Sequence, residues 1–118
     1  DVREAPAFVI IDALLSAGAT VKAYDPEAME TARRVIGDRV TYATTPYEAI
    51  DGADALVIAT EWNEFRKPDV RKMRELLIRP LIFDGRNMYE LEDMAADGFE
   101  YHSVGRASAF PSDDASAV

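Results

Sequence analysis

Three observations predict an α/β fold in which a parallel sheet carries helices on both faces. Segments with helical spacing alternate with short strand-type segments along the chain. One of those strands, Ala55 to Ala59, is a continuous apolar run, as expected of a parallel strand buried on both faces. The chain has 118 residues, of which 48% are hydrophobic and 30% charged. That suffices for one buried core and is too apolar for a disordered segment.

The elements follow in order. Pro6 suits a first helical turn, and Val9, Ile10, Ala13, Leu14 and Ala17 form an apolar stripe that Gly18 ends, which predicts a helix from Pro6 to Ala17. Thr20 to Tyr24 reads as a strand. Asp25-Pro26 supplies an N-cap and a proline at the first helical position, and Ala28, Ala32, Val35 and Ile36 continue the helix to Gly37. Val40 to Ala43 is a short strand. Thr45-Pro46-Tyr47-Glu48 has the form of a capping box, and its helix runs only to about Asp51. After the Ala55–Ala59 strand and a polar, aromatic stretch from Thr60 to Pro68, Val70, Met73, Leu76 and Leu77 define another amphipathic helix. Leu81 to Asp84 is a strand, Leu91 to Ala96 a helix of one or two turns, and Phe99 to Val104 a last strand. The domain is expected over residues 1–106. The small, polar stretch 107–118 has no apolar period and reads as a mobile tail.

Composition excludes several classes of partner. The net charge is −9, and the thirteen Lys and Arg residues form no dense cluster, so neither nucleic acid nor an anionic membrane is an expected partner. No apolar run approaches the ~20 residues of a membrane span. The absence of cysteine removes disulfides, thiolate metal sites and cysteine nucleophiles, and fits a cytoplasmic setting. The chain opens on Asp1, not Met, which reads as a piece of a longer protein.

Ligands of open α/β sheets sit beyond the C-terminal ends of the strands. That rule selects Tyr24-Asp25-Pro26, Thr60-Glu61-Trp62, Asp84-Gly85-Arg86-Asn87 and Gly105-Arg106. In the third of these, Gly85 offers a backbone geometry closed to other residues, and Arg86 could clamp a phosphate or a sugar hydroxyl with its forked donors. The same four residues also read as a tight turn bearing a surface arginine. Trp62 and Phe65 could stack on a base, pack on a partner or cap a core. Glu61 and Glu64 read as solvated or paired with Arg66 or Lys67. His102 is a lone histidine without metal-ligand company and reads as structural. No Gly-x-Gly-x-x-Gly follows a strand, so the dinucleotide fingerprint is missing.

Asp1-Val2-Arg3-Glu4-Ala5-Pro6, the Gly18-Ala19 to Ala23-Tyr24-Asp25-Pro26 block, Ala53-Asp54-Ala55, Thr60-Glu61-Trp62 with Phe65, and Phe83-Asp84-Gly85-Arg86-Asn87 together resemble the UDP-binding domain of the UDP-glucose/GDP-mannose dehydrogenase family. The likeness runs from Asp1 to about Arg106. Thr-Glu-Trp and Phe-Asp-Gly-Arg-Asn look most like the branch that oxidises UDP-glucose to UDP-glucuronate. GDP-mannose and UDP-N-acetyl-hexosamine oxidation are the near alternatives, and a stand-alone nucleotide-binding or scaffold module is the alternative without catalysis. The resemblance implies a Rossmann-like fold and an enzyme that uses NAD, held mainly by an N-terminal domain that also supplies the catalytic cysteine. Neither is in this chain, so by itself it is expected to be inactive. It further implies that Arg86 binds the UDP-sugar, that Asp1 and Val2 end a loop touching the nucleotide sugar, and that Arg3 reaches the NAD phosphates. No residue is assigned to catalysis or to a metal.

The family's domain begins earlier, with a strand and a lysine-bearing loop absent here. By analogy with doubly wound sheets the absent strand is the central one, between Thr20–Tyr24 and Ala55–Ala59. The two flanking strands would then close on each other, or another copy would fill the gap by strand swapping. Weak or no UDP binding by the isolated chain follows, with a homo-oligomer expected for the full-length enzyme.

Overall fold

The computed structural model describes residues 5–25, 29–60 and 66–111. The chain packs as two compact units, residues 1–51 and 52–118.

In the first unit, α1 (Ala5–Ser16) leads to β1 (Lys22–Ala23), α2 (Met29–Ile36), a 3-10 turn (Gly37–Arg39), β2 (Thr41–Tyr42) and α3 (Pro46–Ile50). The strands β1 and β2 are parallel, with Lys22 opposite Thr41 and Ala23 opposite Tyr42. The expected stripe of α1 is only partly covered: Ile10 and Leu14 are half-buried, while Val9, Ala13 and Ala17 are exposed. The core of this unit comes instead from Ile36, Val40, Ala43 and Ile50. Gly37 ends α2 at φ 66°, a conformation that glycine adopts without a Cβ clash. At α3, Thr45 Oγ accepts from the Glu48 N–H at 3.2 Å. Only half of the predicted capping box forms, because the Glu48 carboxylate accepts from the Thr44 hydroxyl at 2.8 Å. The other end of this short helix is closed by Lys22, whose Nζ donates to the carbonyls of Glu48 and Asp51 at 3.0 Å each. A cation at a helix C-terminus satisfies carbonyls that have no partner within the helix.

The second unit holds β3 (Leu56–Ile58), α4 (Val70–Leu76), β4 (Leu81–Asp84), α5 (Leu91–Ala96) and β5 (Glu100–Ser103). These strands form a parallel sheet of order β3-β4-β5. Asp69 caps α4, its side chain accepting from the Lys72 N–H at 3.1 Å. The helix α5 packs on β5. The strand period of two separates the faces of β4: Ile82 and Asp84 are buried, while Phe83 between them is exposed. Ile82 lies opposite Tyr101 in register, and both are fully buried, as are Met73 and Phe99. Val57, Phe83 and His102 form the matching row on the other face.

Among the described residues the strands form two sheets, β1-β2 in the first unit and β3-β4-β5 in the second. Of the expected tail, residues 107–111 are described, and they include a tie back to β5. Ala109 and Tyr101 exchange backbone hydrogen bonds of 2.8 and 2.9 Å in an antiparallel bridge, and Ala109 is buried. A polar composition concealed this because the bridge needs only backbone groups and one small apolar side chain.

Burial predicts an asymmetry between neighbouring strand positions. Ile82→Ala should lower the unfolding free energy by about 2–5 kcal/mol. Val57→Ala, on the exposed face of the same sheet, should cost about 1 kcal/mol or less. Urea unfolding followed by circular dichroism measures both, and equal losses would contradict this account of the core.

Candidate functional site

The C-terminal end of β4 carries the most highly organised loop among the described residues. Asp84 is the last residue of that strand and only 2% exposed. A carboxylate taken out of water needs donors, and three reach it. Its Oδ1 accepts from the Arg86 N–H at 2.7 Å. Its Oδ2 accepts from the Met88 N–H at 2.7 Å and from the Tyr101 hydroxyl at 2.6 Å. The two backbone bonds wrap the chain around the carboxylate, so residues 85–88 are wound about a fixed point.

Gly85 and Asn87 divide the conformational work differently from the sequence expectation. Asn87, not Gly85, takes the left-handed backbone, at φ 54°. Asparagine tolerates that region better than other side chains. Gly85 serves a close approach instead: its N–H donates to the Ile58 carbonyl at 2.8 Å, and a Cβ there would stand a tight 3.3 Å from the same oxygen. Asn87 also donates from Nδ2 to the Val104 carbonyl at 3.0 Å, joining the loops that follow β4 and β5. Arg86 is exposed on this frame.

Behind the loop lies Tyr101. Its hydroxyl faces Asp84 Oδ2 at 2.6 Å and the Tyr89 carbonyl at 3.3 Å. One hydroxyl proton serves one strong bond, and the shorter contact takes it. The oxygen in turn accepts from Arg106 Nη2 at 3.0 Å and from the Tyr89 N–H at 3.3 Å. Arg106 also donates from Nε to Ser103 Oγ at 2.9 Å. Burial pushes the Tyr101 phenol up to about 12, and the bond to Asp84 acts in the same direction. The hydroxyl is therefore a donor throughout the neutral range.

Of the four strand-end segments chosen from sequence, the structure joins two in this unit: Asp84 to Asn87 and Gly105-Arg106. Tyr24 and Asp25 belong to the other unit. Asp1, Val2 and Arg3 lie outside the described residues, as do Pro26 and the segment 61–65 with Glu61, Trp62, Glu64 and Phe65. His102 bonds Glu100 through Nε2 and Ser108 through Nδ1, at 2.6 Å each, and stacks on Phe83 with ring centroids 5.1 Å apart. Those contacts fasten the segment after β5 to the sheet. Among the described residues no group of His, Cys, Asp and Glu could hold a metal ion, and no helix is long and apolar enough to cross a membrane. An open depression of about 470 Å³ is lined by Arg66, Met88, Tyr89, Glu90, Asp93 and Asp97 among others. Arg86 does not line it, and its three carboxylates make it a poor seat for a diphosphate.

Sequence reasoning gave no role to Tyr101 and only a position to Arg106. The available signal was the strand period. Ile82 and Asp84 share a face, and a tyrosine opposite Ile82 in the next parallel strand can reach two residues along.

A buried parallel strand ending in a carboxylate-wound loop with an exposed arginine is a layout suited to nucleotide-binding α/β domains. The chain belongs to the UDP-glucose/GDP-mannose dehydrogenase family: the model of that family's UDP binding domain matches residues 1–91. It is 47% identical over 106 residues to the UDP-glucose 6-dehydrogenase TuaD of Bacillus subtilis, covering 90% of this chain and 23% of that protein. It is 48% identical over 106 residues to the UDP-glucose 6-dehydrogenase of Rhizobium meliloti, covering 90% of this chain and 24% of that protein. The chain thus spans about a quarter of the length of these relatives. A solved structure of a UDP-D-ManNAc dehydrogenase from Pyrococcus horikoshii matches with a TM-score of 0.51 at 20% identity, over 88% of this chain and 31% of that one, a likeness of fold alone.

The raised phenol has a consequence for stability. The folded state holds the Tyr101 proton more tightly than the unfolded chain, so its contribution is constant below pH 10 and is lost as pH rises from 10 through about 12. The unfolding free energy of the wild type should therefore fall relative to Tyr101→Phe across that window. Parallel pH dependence of the two proteins in urea unfolding would refute the raised Tyr101 phenol.

Proposed function

We propose that this chain is the UDP-sugar-holding part of a UDP-glucose 6-dehydrogenase. The observation that carries the reading is the Arg86 loop, wound on Asp84 at the C-terminal end of a buried parallel strand. The resemblance of this sequence to the UDP-glucose-oxidising branch supports the choice of sugar nucleotide. In this reading Arg86 contacts the nucleotide sugar with a forked, charge-assisted donor set. Asp1 and Val2 stand at the nucleotide sugar, and Arg3 reaches toward the phosphates of NAD.

The reaction proposed for the whole enzyme takes the C6 primary alcohol to a carboxylate. R–CH2OH, two NAD+ and H2O give R–COO−, two NADH and three H+. NAD would supply the hydride acceptor. In this reading NAD is held mainly by polypeptide outside this chain, with Arg3 as this chain's contribution. What this chain contributes is a grip on the part of the substrate remote from C6. Such binding holds the alcohol in place while chemistry occurs elsewhere. The proposal includes a cytoplasmic setting and a homo-oligomeric intact enzyme. The isolated chain, lacking that enzyme's remaining parts, should bind UDP weakly and tend to associate through strand edges.

The test uses the intact enzyme with UDP-glucose and NAD, following NADH. Two NADH should form per UDP-glucose. Absence of turnover, or faster turnover of GDP-mannose or a UDP-N-acetyl-hexosamine, would overturn the assignment. Arg86→Ala should weaken UDP-glucose binding by on the order of 1.5–3 kcal/mol, about 10- to 150-fold in affinity. Unchanged affinity in that variant would remove Arg86 from the site.

A further inference from the structure

We propose that Tyr101, braced by Arg106, is a positioning residue for Arg86: it holds the Asp84 carboxylate from inside, so the arginine-bearing loop is set before a nucleotide arrives. The inference rests on the reading of Arg86 as the substrate-binding arginine. Neither Tyr101 nor Arg106 falls within the residues 1–91 that the family's domain model matches.

Tyr101 is fully buried opposite Ile82, and a phenylalanine would fill the same space. The hydroxyl is the part that packing does not explain. Its partners are the carboxylate around which the loop winds, the backbone of Tyr89 immediately after the loop, and Arg106. Bringing an oxygen into a dry interior is costly unless every partner is in place. Here, Arg106 apart, the partners stand at the two ends of the loop, Asp84 before it and Tyr89 after it.

The loop has reason to need such a brace. It carries Asn87 in the left-handed region and approaches β3 closely at Gly85, so it is not a conformation the chain adopts by default. Asp84 supplies its fixed point, and Asp84 Oδ2 is shared between the Met88 N–H and Tyr101. Without the hydroxyl, that carboxylate is free to rotate away from the two N–H groups it holds. Arg106 completes the arrangement from the rim. Its guanidinium donates to the Tyr101 oxygen and lies over the Tyr101 ring, with Cζ 5.7 Å from the centroid. A hydroxyl that accepts from a cation is polarised toward donating to a carboxylate, so the row Arg106, Tyr101, Asp84 strengthens along its length. A loop held in its binding geometry loses less entropy when the ligand binds.

The decisive experiment is a double-mutant cycle on the intact enzyme, titrated with UDP by calorimetry and assayed for KM of UDP-glucose and of NAD. Tyr101→Phe should weaken UDP roughly tenfold. It should raise KM for UDP-glucose and leave KM for NAD in place. In an Arg86→Ala background the same change should alter UDP affinity by less than about twofold, because the residue it positions is gone. Arg106→Gln, at the half-buried rim, should repeat the pattern with a smaller effect and gives a reading even where Tyr101→Phe folds poorly. Equal losses in both backgrounds, or no loss in either variant, would overturn the positioning role while leaving Arg86 as the binding residue. An Arg86→Ala protein with wild-type UDP affinity would overturn the reading beneath it as well. Amide exchange at Arg86 and Met88 should quicken in Tyr101→Phe, and unchanged protection there would also count against the brace.

Discussion

A carboxylate buried at the end of a parallel strand has to find donors, and the way Asp84 finds them shapes everything around it. Two of its three partners are backbone N–H groups of the residues that follow, which bends the chain into a loop immediately beyond β4. The third is the hydroxyl of a residue in β5, which ties that loop to the neighbouring strand. One side chain thus converts a strand end into a platform. Arg86 is exposed while its own N–H is bound to Asp84, and Asn87 reaches the Val104 carbonyl from the same turn.

The frame under this loop is ordinary parallel-sheet physics. The alternation of faces along β4 puts Ile82 and Asp84 on the buried side, and the register of β5 puts Tyr101 beside them. Shifting that register by one residue would turn Tyr101 outward and leave the carboxylate without its hydroxyl. The backbone bridge between Tyr101 and Ala109, with the contacts of His102 to Ser108, secures the outer side of β5. Structural residues that seemed unrelated in the sequence therefore serve one register.

Much of the fold was legible because its signals are local. The strand Leu81–Asp84 and the helix Leu91–Ala96 stand where the apolar pattern put them, and Thr45 caps α3 as its spacing implied. Arg86 could be singled out because glycine and arginine past a buried strand are visible in four consecutive letters. The α1 stripe placed the helix but not its burial, since periodicity shows that a helix has an apolar face but not how much of it is covered. Gly85 was assigned the wrong reason for being glycine: a positive φ and a close approach both favour the residue without a Cβ, and only coordinates tell them apart.

By itself, the sequence determined the order of helices and strands, the parallel α/β class, the exclusion of cysteine chemistry, and the motifs through which the family is recognised. These depend on neighbours within a few residues, where periodicity, capping and turn chemistry act. Only the tertiary structure decided that the strands fall into two sheets, that Asn87 rather than Gly85 takes the left-handed turn, and that Tyr101 and Arg106 stand behind the Arg86 loop. Those facts depend on contacts between residues 12 to 20 or more positions apart in several cases, such as Asp84 with Tyr101, 17 residues away. No local preference encodes such a pairing, because it exists only once the register of two strands has been fixed by the burial of their shared face.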